Sequence, residues 1–119
     1  MYKNMKLEVK DIAGRDDIKL VKITGDLDVI NAESFRKAID AYITKGCLNL
    51  LFDLKDLRFI DSVGNLSLIN IYMKAKREGG HVKIFGVNKN VKEVLDVIGV
   101  LKIIPMYESY EEALLSFKE

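Results

Sequence analysis

Apolar positions change their period several times along the chain, and each change marks an element. Met5, Leu7 and Val9 alternate with Lys6, Glu8 and Lys10, the period of a strand with one covered face. Gly14-Arg15-Asp16-Asp17 supplies turn residues, Ile18 to Thr24 a second strand, and Gly25 its end, so the chain is expected to open with a β-hairpin. From Asn31 the spacing becomes helical: Ala32, Phe35, Ala38, Ile39, Tyr42 and Ile43 share one face, with Asn31 as the expected cap and Gly46 just past the end. Cys47 to Leu54, CLNLLFDL, is short and almost wholly apolar, which predicts a central strand covered on both faces.

Ser62 to Glu78 reads as a second helix, closed by Lys74, Lys76, Arg77 and Gly79-Gly80. Its apolar residues Val63, Leu66, Leu68, Ile69, Ile71, Tyr72 and Met73 are wider than one stripe, so part of this set is available to a partner. His81 to Val87 is the next strand. Asn90-Val91-Lys92-Glu93 has the spacing of a capping box for a third helix, which carries Val91, Val94, Leu95 and Ile98 and stops at Gly99. Leu101 to Ile104 is expected as a short edge strand ended by Pro105, and Ser109-Tyr110-Glu111-Glu112 caps a last helix that buries Ala113, Leu114 and Phe117. Tyr107 and Tyr110 are expected near that helix, and Met73 and Met106 as gap-filling core residues. The order is β, β, α, β, α, β, α, β, α: an α/β fold with an N-terminal hairpin, alternating βα units and a mostly parallel sheet flanked by helices.

Composition narrows the function classes. The 119 residues suffice for one core, and residues 1–119 are read as one domain. Hydrophobic residues at 49% and charged residues at 31% describe a globular chain. A net charge of +1 gives no reason to expect nucleic acid or an acidic membrane as partner. Phe59 to Met73, charged only at Asp61, is too short and polar to span a bilayer, and MYKNMKLEVK lacks the apolar region of a signal peptide. Cys47 stands alone, fits a reducing cytosol and is read as a small core residue.

Catalytic equipment is sparse. His81 is the single histidine and follows Gly79-Gly80 as a solvated turn residue, so no serine or cysteine gains an evident base. There is no Cys/His spacing of a metal site and no phosphate-cradling P-loop. Asp26, Asp28, Asp53, Asp56 and Asp61 are read as solvated carboxylates near strand ends, with a Mg²⁺ site as the lesser reading, and no cofactor is expected. Ile60-Asp61-Ser62-Val63-Gly64 differs by position, because it opens a helix whose first N–H groups lack intrahelical partners. Asp61 or Ser62 can cap it. A phosphate at this end is compatible with the fold, since the helix dipole offsets its charge by about 0.3–1 kcal/mol.

A resemblance enters on these residues. Thr24-Gly25-Asp26-Leu27-Asp28, then Asn31-Ala32-Glu33, then Phe52-Asp53-Leu54 through Phe59-Ile60-Asp61-Ser62-Val63-Gly64, together resemble the STAS domain of bacterial anti-sigma factor antagonists. The match runs from about Leu7 to Phe117, and its most specific part is the hydrophobic-Asp-Ser-x-Gly stretch. The resemblance implies that Ser62, directly after Asp61, is a phosphoacceptor and that Asp28 lies near it. Where the family usually has a second hydroxyl and a Gly-Leu-Gly run, this chain has Val63 and then Gly64-Asn65-Leu66, which leaves Ser62 as the sole acceptor of the loop.

The implied function is a partner switch in the cytosol without catalysis of its own. Unmodified, the surface formed by Asp28, Asp61, Ser62, Val63, Gly64, Asn65 and Leu66 would bind an anti-sigma factor with serine kinase activity. Phosphorylation of Ser62 would release it, and a PP2C-type phosphatase would restore binding. Alternatives are a STAS scaffold or sensor subunit in which Ser62 only caps the helix, a receiver-like domain with Asp53 as phosphoacceptor, and a small nucleotide-binding protein or enzyme using the clustered acids.

Overall fold

The computed structural model describes residues 2–117. The chain opens with β1 (Met5–Ile12) and β2 (Arg15–Leu27), antiparallel neighbours with Met5 opposite Gly25. The turn is tighter than expected. Arg15, Asp16 and Asp17 lie within β2, because the guanidinium of Arg15 bonds both Asp17 oxygens and holds the strand's start in place. Gly25 does not end the strand either. It sits at a register shift with φ +95°, a conformation where a side chain would be strained and would run into the carbonyl of Asn4, and pairing resumes to Leu27.

Helix α1 (Ala32–Thr44) buries Ala32, Phe35, Ile39 and Ile43 on the expected face. The cap expected of Asn31 is absent: its side chain makes no bond to the helix and instead accepts from Lys3 N at 2.8 Å and donates to Lys3 O and Asp26 O. Fully buried, Asn31 fastens the N-terminal segment to the end of β2, and a buried amide with three partners is worth more there than as a solvated cap.

Strand β3 (Asn49–Asp53) pairs in parallel with β2 from Ile18 to Lys22, and the next strand, β4 (Leu57–Ile60), pairs in parallel with the remainder of β2 from Gly25 to Leu27. No strand was expected over Leu57–Ile60. Its exposed middle, Arg58-Phe59, hides the strand period, and the partner edge of β2 lies three decades of sequence away. After α2 (Ser62–Arg77) come β5 (His81–Phe85), α3 (Lys89–Ile98), a 3₁₀ turn over Val100–Lys102, β6 (Met106–Tyr107) and α4 (Tyr110–Ser116). The sheet order is β1-β2-β3-β5-β6, with β4 on the extension of β2. All pairings except β1·β2 are parallel, as expected.

Three further boundaries differ. β5 ends at Phe85 rather than Val87. The cap of α3 is Asn88, which accepts from Val91 N at 2.9 Å and donates to Leu57 O, so the box expected at Asn90 lies inside the helix. Leu101 to Ile104 is not a strand: the positive φ of Gly99 turns the chain into a 3₁₀ turn, and the edge strand forms after Pro105 instead. Ser109 caps α4 as expected, accepting from Glu112 N.

Both sheet faces are covered, which accounts for the unbroken apolar run of β3. Leu50 and Phe52 face a core shared with Phe35, Ile39, Leu68, Ile71, Val91 and Leu95 of α1, α2 and α3. Leu51 faces the opposite way, with Ile18, Phe85 and Tyr110, toward Ala113 and Phe117 of α4 and its end. Met106 packs against the larger core, whereas Met73, expected inside, is exposed. Cys47 is half-buried and His81 exposed.

Candidate functional site

The parallel pairing of β2 with β4 builds the site. Leu27 stands opposite Ile60, so the residues that follow each strand, Asp28-Val29-Ile30 and Asp61-Ser62-Val63, leave the same end of the sheet side by side. Both lead directly into helices, α1 and α2. Carboxyl ends of parallel strands are where α/β folds place their binding loops, and here two helix N-termini converge on one.

Asp61 joins the two loops. In extended conformation (φ −109°, ψ −174°) it caps α2, one carboxylate oxygen accepting from Gly64 N at 2.8 Å and the other from Val29 N at 2.9 Å. Asp28 organises the neighbouring loop, its carboxylate accepting from Ile30 N and Asn31 N and its carbonyl from Asn31 N and Ala32 N. Asp28 thus shapes the loop that Asp61 holds through Val29 N beside the start of α2.

The choice between Asp61 and Ser62 as cap falls to Asp61. Ser62 is the first residue of the helix, exposed, and its hydroxyl makes no hydrogen bond among the described residues. Ser62 is therefore free of the structural duty that would explain it. Around it lie apolar side chains in solvent: Val29 and Ile30 at 63% exposure each, Val63 at 40% and Leu66 at 55%. Val29 and Ile30 were absent from the sequence-based site. Their signal was present, two apolar residues placed just before the helical period of α1 begins.

Gly64 and Asn65 do not reach the surface. A Cβ on Gly64 would overlap the carbonyl oxygen of Leu27, so the glycine lets the first turn of α2 rest on the end of β2. Asn65 is fully buried; its amide nitrogen donates to Asp61 O at 2.9 Å, and its oxygen Oδ1 has no partner. Leu66, one position on, points outward. The exposed row continues along α2 through Asn70 and Met73, which is why its apolar set looked too wide for one buried stripe.

Asp53 is differently placed. It is buried, accepts from Lys55 N at 3.0 Å and lies 3.9 Å from Lys55 Nζ. A receiver-type acceptor needs an acidic pair beside it, but Asp16 and Asp17 precede Ile18, the partner of Asn49, at the opposite end of the parallel strands. Lys102 lies in the 3₁₀ turn and is exposed. Asp56 is taken by Lys22 at 3.0 Å, and this hydrogen bond holds the Lys22 amine above its usual pKa. Among the described residues no group of three or more His, Cys, Asp or Glu side chains could hold a metal ion, and no helix is long and apolar enough to cross a membrane.

Comparison with known proteins agrees with this architecture. The STAS domain family model matches residues 10–113. An anti-sigma F factor antagonist of Paenibacillus polymyxa is 30% identical over 112 residues, 93% of each chain. A solved anti-sigma factor antagonist from Mycobacterium paratuberculosis superposes with a TM-score of 0.83 at 24% identity, covering 97% of this chain and 95% of that one. The Bacillus cell fate determinant SpoIIAA in its phosphorylated form shares the fold at a TM-score of 0.71 and 18% identity, over 95% of this chain and 100% of that one. With the family model matched over residues 10–113 and a relative 30% identical across 93% of each chain, the chain belongs to the STAS domain family, among the anti-sigma factor antagonists.

Proposed function

We propose that this protein acts in the cytosol as a partner switch of sigma-factor-dependent transcription, residues 1–119 working as one STAS unit and Ser62 as the modified residue. The observation that supports the reading best is that Ser62 is exposed and unbonded at the start of α2 while Asp61 does the capping. A scaffold whose serine served only as a cap would not need it.

In the unmodified state the apolar rim of Val29, Ile30, Val63 and Leu66 docks on an anti-sigma factor with serine kinase activity. Burying several such side chains is worth about 25 cal/mol per Å² of apolar surface, and the surrounding polar loops give the contact its register. The kinase then transfers the γ-phosphoryl group of ATP to Ser62 Oγ, ADP leaves, and the hydroxyl proton is lost. Phosphoserine adds about 1.5–2 negative charges. The fold accepts this charge, since the first turn of α2 carries no acidic residue within the helix and its N–H groups favour an anion.

The complex does not accept it. A phosphate pressed into an apolar contact beside Asp61 and Asp28 loses hydration without gaining a cation, at a cost of several kcal/mol, and each ~1.4 kcal/mol weakens binding tenfold. Release frees the protein for a PP2C-type phosphatase. The domain is thus substrate and regulator, with no catalytic step of its own.

The test uses a kinase-type anti-sigma factor of the same cell with ATP and intact-mass measurement. One phosphate is expected on the wild type and none on Ser62→Ala. A phosphate that persists on Ser62→Ala, or binding by Ser62→Asp as tight as wild type, rejects this function.

A further inference from the structure

Helix α3 carries a second unpartnered surface whose charges run against what an isolated helix prefers. Asn90, Glu93, Val94, Val97 and Ile98 line a shallow concavity of about 310 Å³, and their spacing is one continuous helical stripe. Val97 is 86% exposed and Ile98 43%, whereas Val91 and Leu95 are buried in the core and Val94, half-buried, packs against its edge. Beside the stripe lies a row of exposed charges, Lys89 and Lys92 in the N-terminal half and Glu93 and Asp96 in the C-terminal half.

Local physics does not account for this order. The first turn of α3 has no acid and the last no base, the reverse of what the helix dipole favours. Lys89–Glu93 and Lys92–Asp96 have the four-residue spacing in its weaker orientation, lysine first, and among the described residues none of the four forms an ion pair.

A second copy does account for it. Two α3 helices packed antiparallel about a two-fold axis near Val94 set Val94 of each copy against Val94, Val97 and Ile98 of the other, at the register where Lys92 stands level with Asp96 of its mate, and the axis keeps both charged rows on one side of the seam while reversing their direction. Lys89 and Lys92 of one copy then lie beside Asp96 and Glu93 of the other. We infer that α3 is a homodimer seam, with another copy of this chain as its occupant, held by the Val94-Val97-Ile98 stripe and registered by reciprocal Lys89/Lys92 to Glu93/Asp96 pairing. The seam uses none of the residues around Ser62, so it stands whether or not Ser62 is modified. One short helix per protomer makes a small interface, so the dimer is weak and concentration-dependent.

The test is sedimentation of the full chain over a dilution series. Wild type is expected to show a reversible monomer–dimer equilibrium, weakened by salt, and Val97→Glu to weaken it at least tenfold with unchanged circular dichroism. Val97→Ser is the substitute should the glutamate disturb folding. Lys89→Glu/Lys92→Glu and Glu93→Lys/Asp96→Lys are each expected to be monomeric alone, the first with an all-acidic row and the second with an all-basic one, and to form a mixed dimer when combined. A wild type that stays monomeric to millimolar concentration, a dimer indifferent to Val97, or swapped variants that fail to associate on mixing would each overturn the inference.

Discussion

The carboxylate of Asp61 spans two loops that are 32 residues apart, accepting from Val29 N at 2.9 Å while it caps its own helix through Gly64 N at 2.8 Å. One side chain thereby sets both the start of α2 and the position of the apolar Val29-Ile30 tip beside Ser62. Asp61→Ala should lose the cap, about 1 kcal/mol, and the loop bond, about 0.5–1.5 kcal/mol. Asp61→Asn retains an acceptor and should lose less. Urea unfolding measures the loss of stability, and hydrogen exchange should accelerate at both the Val29 and Gly64 amides in Asp61→Ala and at one of the two in Asp61→Asn. Unchanged exchange at Val29 in Asp61→Ala would show that the second oxygen contributes nothing.

Ser62 should be nearly silent in stability. Ser62→Ala removes an exposed hydroxyl with no hydrogen bond and should shift unfolding by no more than about 0.5 kcal/mol. Ser62→Asp places an acid at the first position of α2, where the dipole contributes about 0.3–1 kcal/mol in its favour. A loss of anti-sigma factor binding by this variant, with a melting temperature equal to or above wild type, would assign the effect to the surface and not to folding.

Gly64 tests propensity against packing. Alanine in a helix interior is favoured over glycine by about 1 kcal/mol, yet here the added methyl would strike the Leu27 carbonyl and the Ile60 side chain. Overpacking against backbone typically costs about 1–3 kcal/mol, so Gly64→Ala should be net destabilising. An increase in the denaturation midpoint would mean that α2 can lift away from β2 without loss.

Asn65 makes the opposite case. Its Oδ1 is buried without a partner, and the Asp61 carbonyl that its amide contacts already accepts from the Asn65 backbone N at 2.9 Å. Asn65→Leu, alike in branching and heavy-atom count, removes the unpaired oxygen while leaving that carbonyl bonded, and should stabilise by about 1 kcal/mol if the site takes the bulkier methyls. A destabilised variant would imply that the methyls do not fit or that the amide oxygen has a bonding partner, such as an ordered water, in solution.

The exposed rim should separate binding from stability. Val29→Ser and Leu66→Ser change side chains at 63% and 55% exposure, where substitutions are usually within about 0.5 kcal/mol. Isothermal titration against the anti-sigma factor should nonetheless show weaker binding for both, with Met73→Ser as a control farther along the same face of α2. Full affinity in both rim variants would remove Val29 and Leu66 from the contact.

Much of the architecture was legible because its determinants are local. The helical face of α1, the extent of α2 from Ser62, the stop at Gly99 and the Ser109 cap all depend on residues within a turn or two of one another, and the apolar run of β3 announces coverage on both faces. The Asp-Ser-x-Gly stretch could likewise be placed at a helix start from its neighbours alone. What tertiary structure decided were the features whose partners are distant. β4 exists because β2 extends past Gly25 and offers it an edge. Asn31 left its helix for the buried carbonyls of Lys3 and Asp26. Ser62 was released from capping when Asp61 took both Gly64 N and Val29 N. A hydrogen-bond group takes whichever partner burial leaves it, and for these residues that partner is remote in the chain and adjacent only after folding.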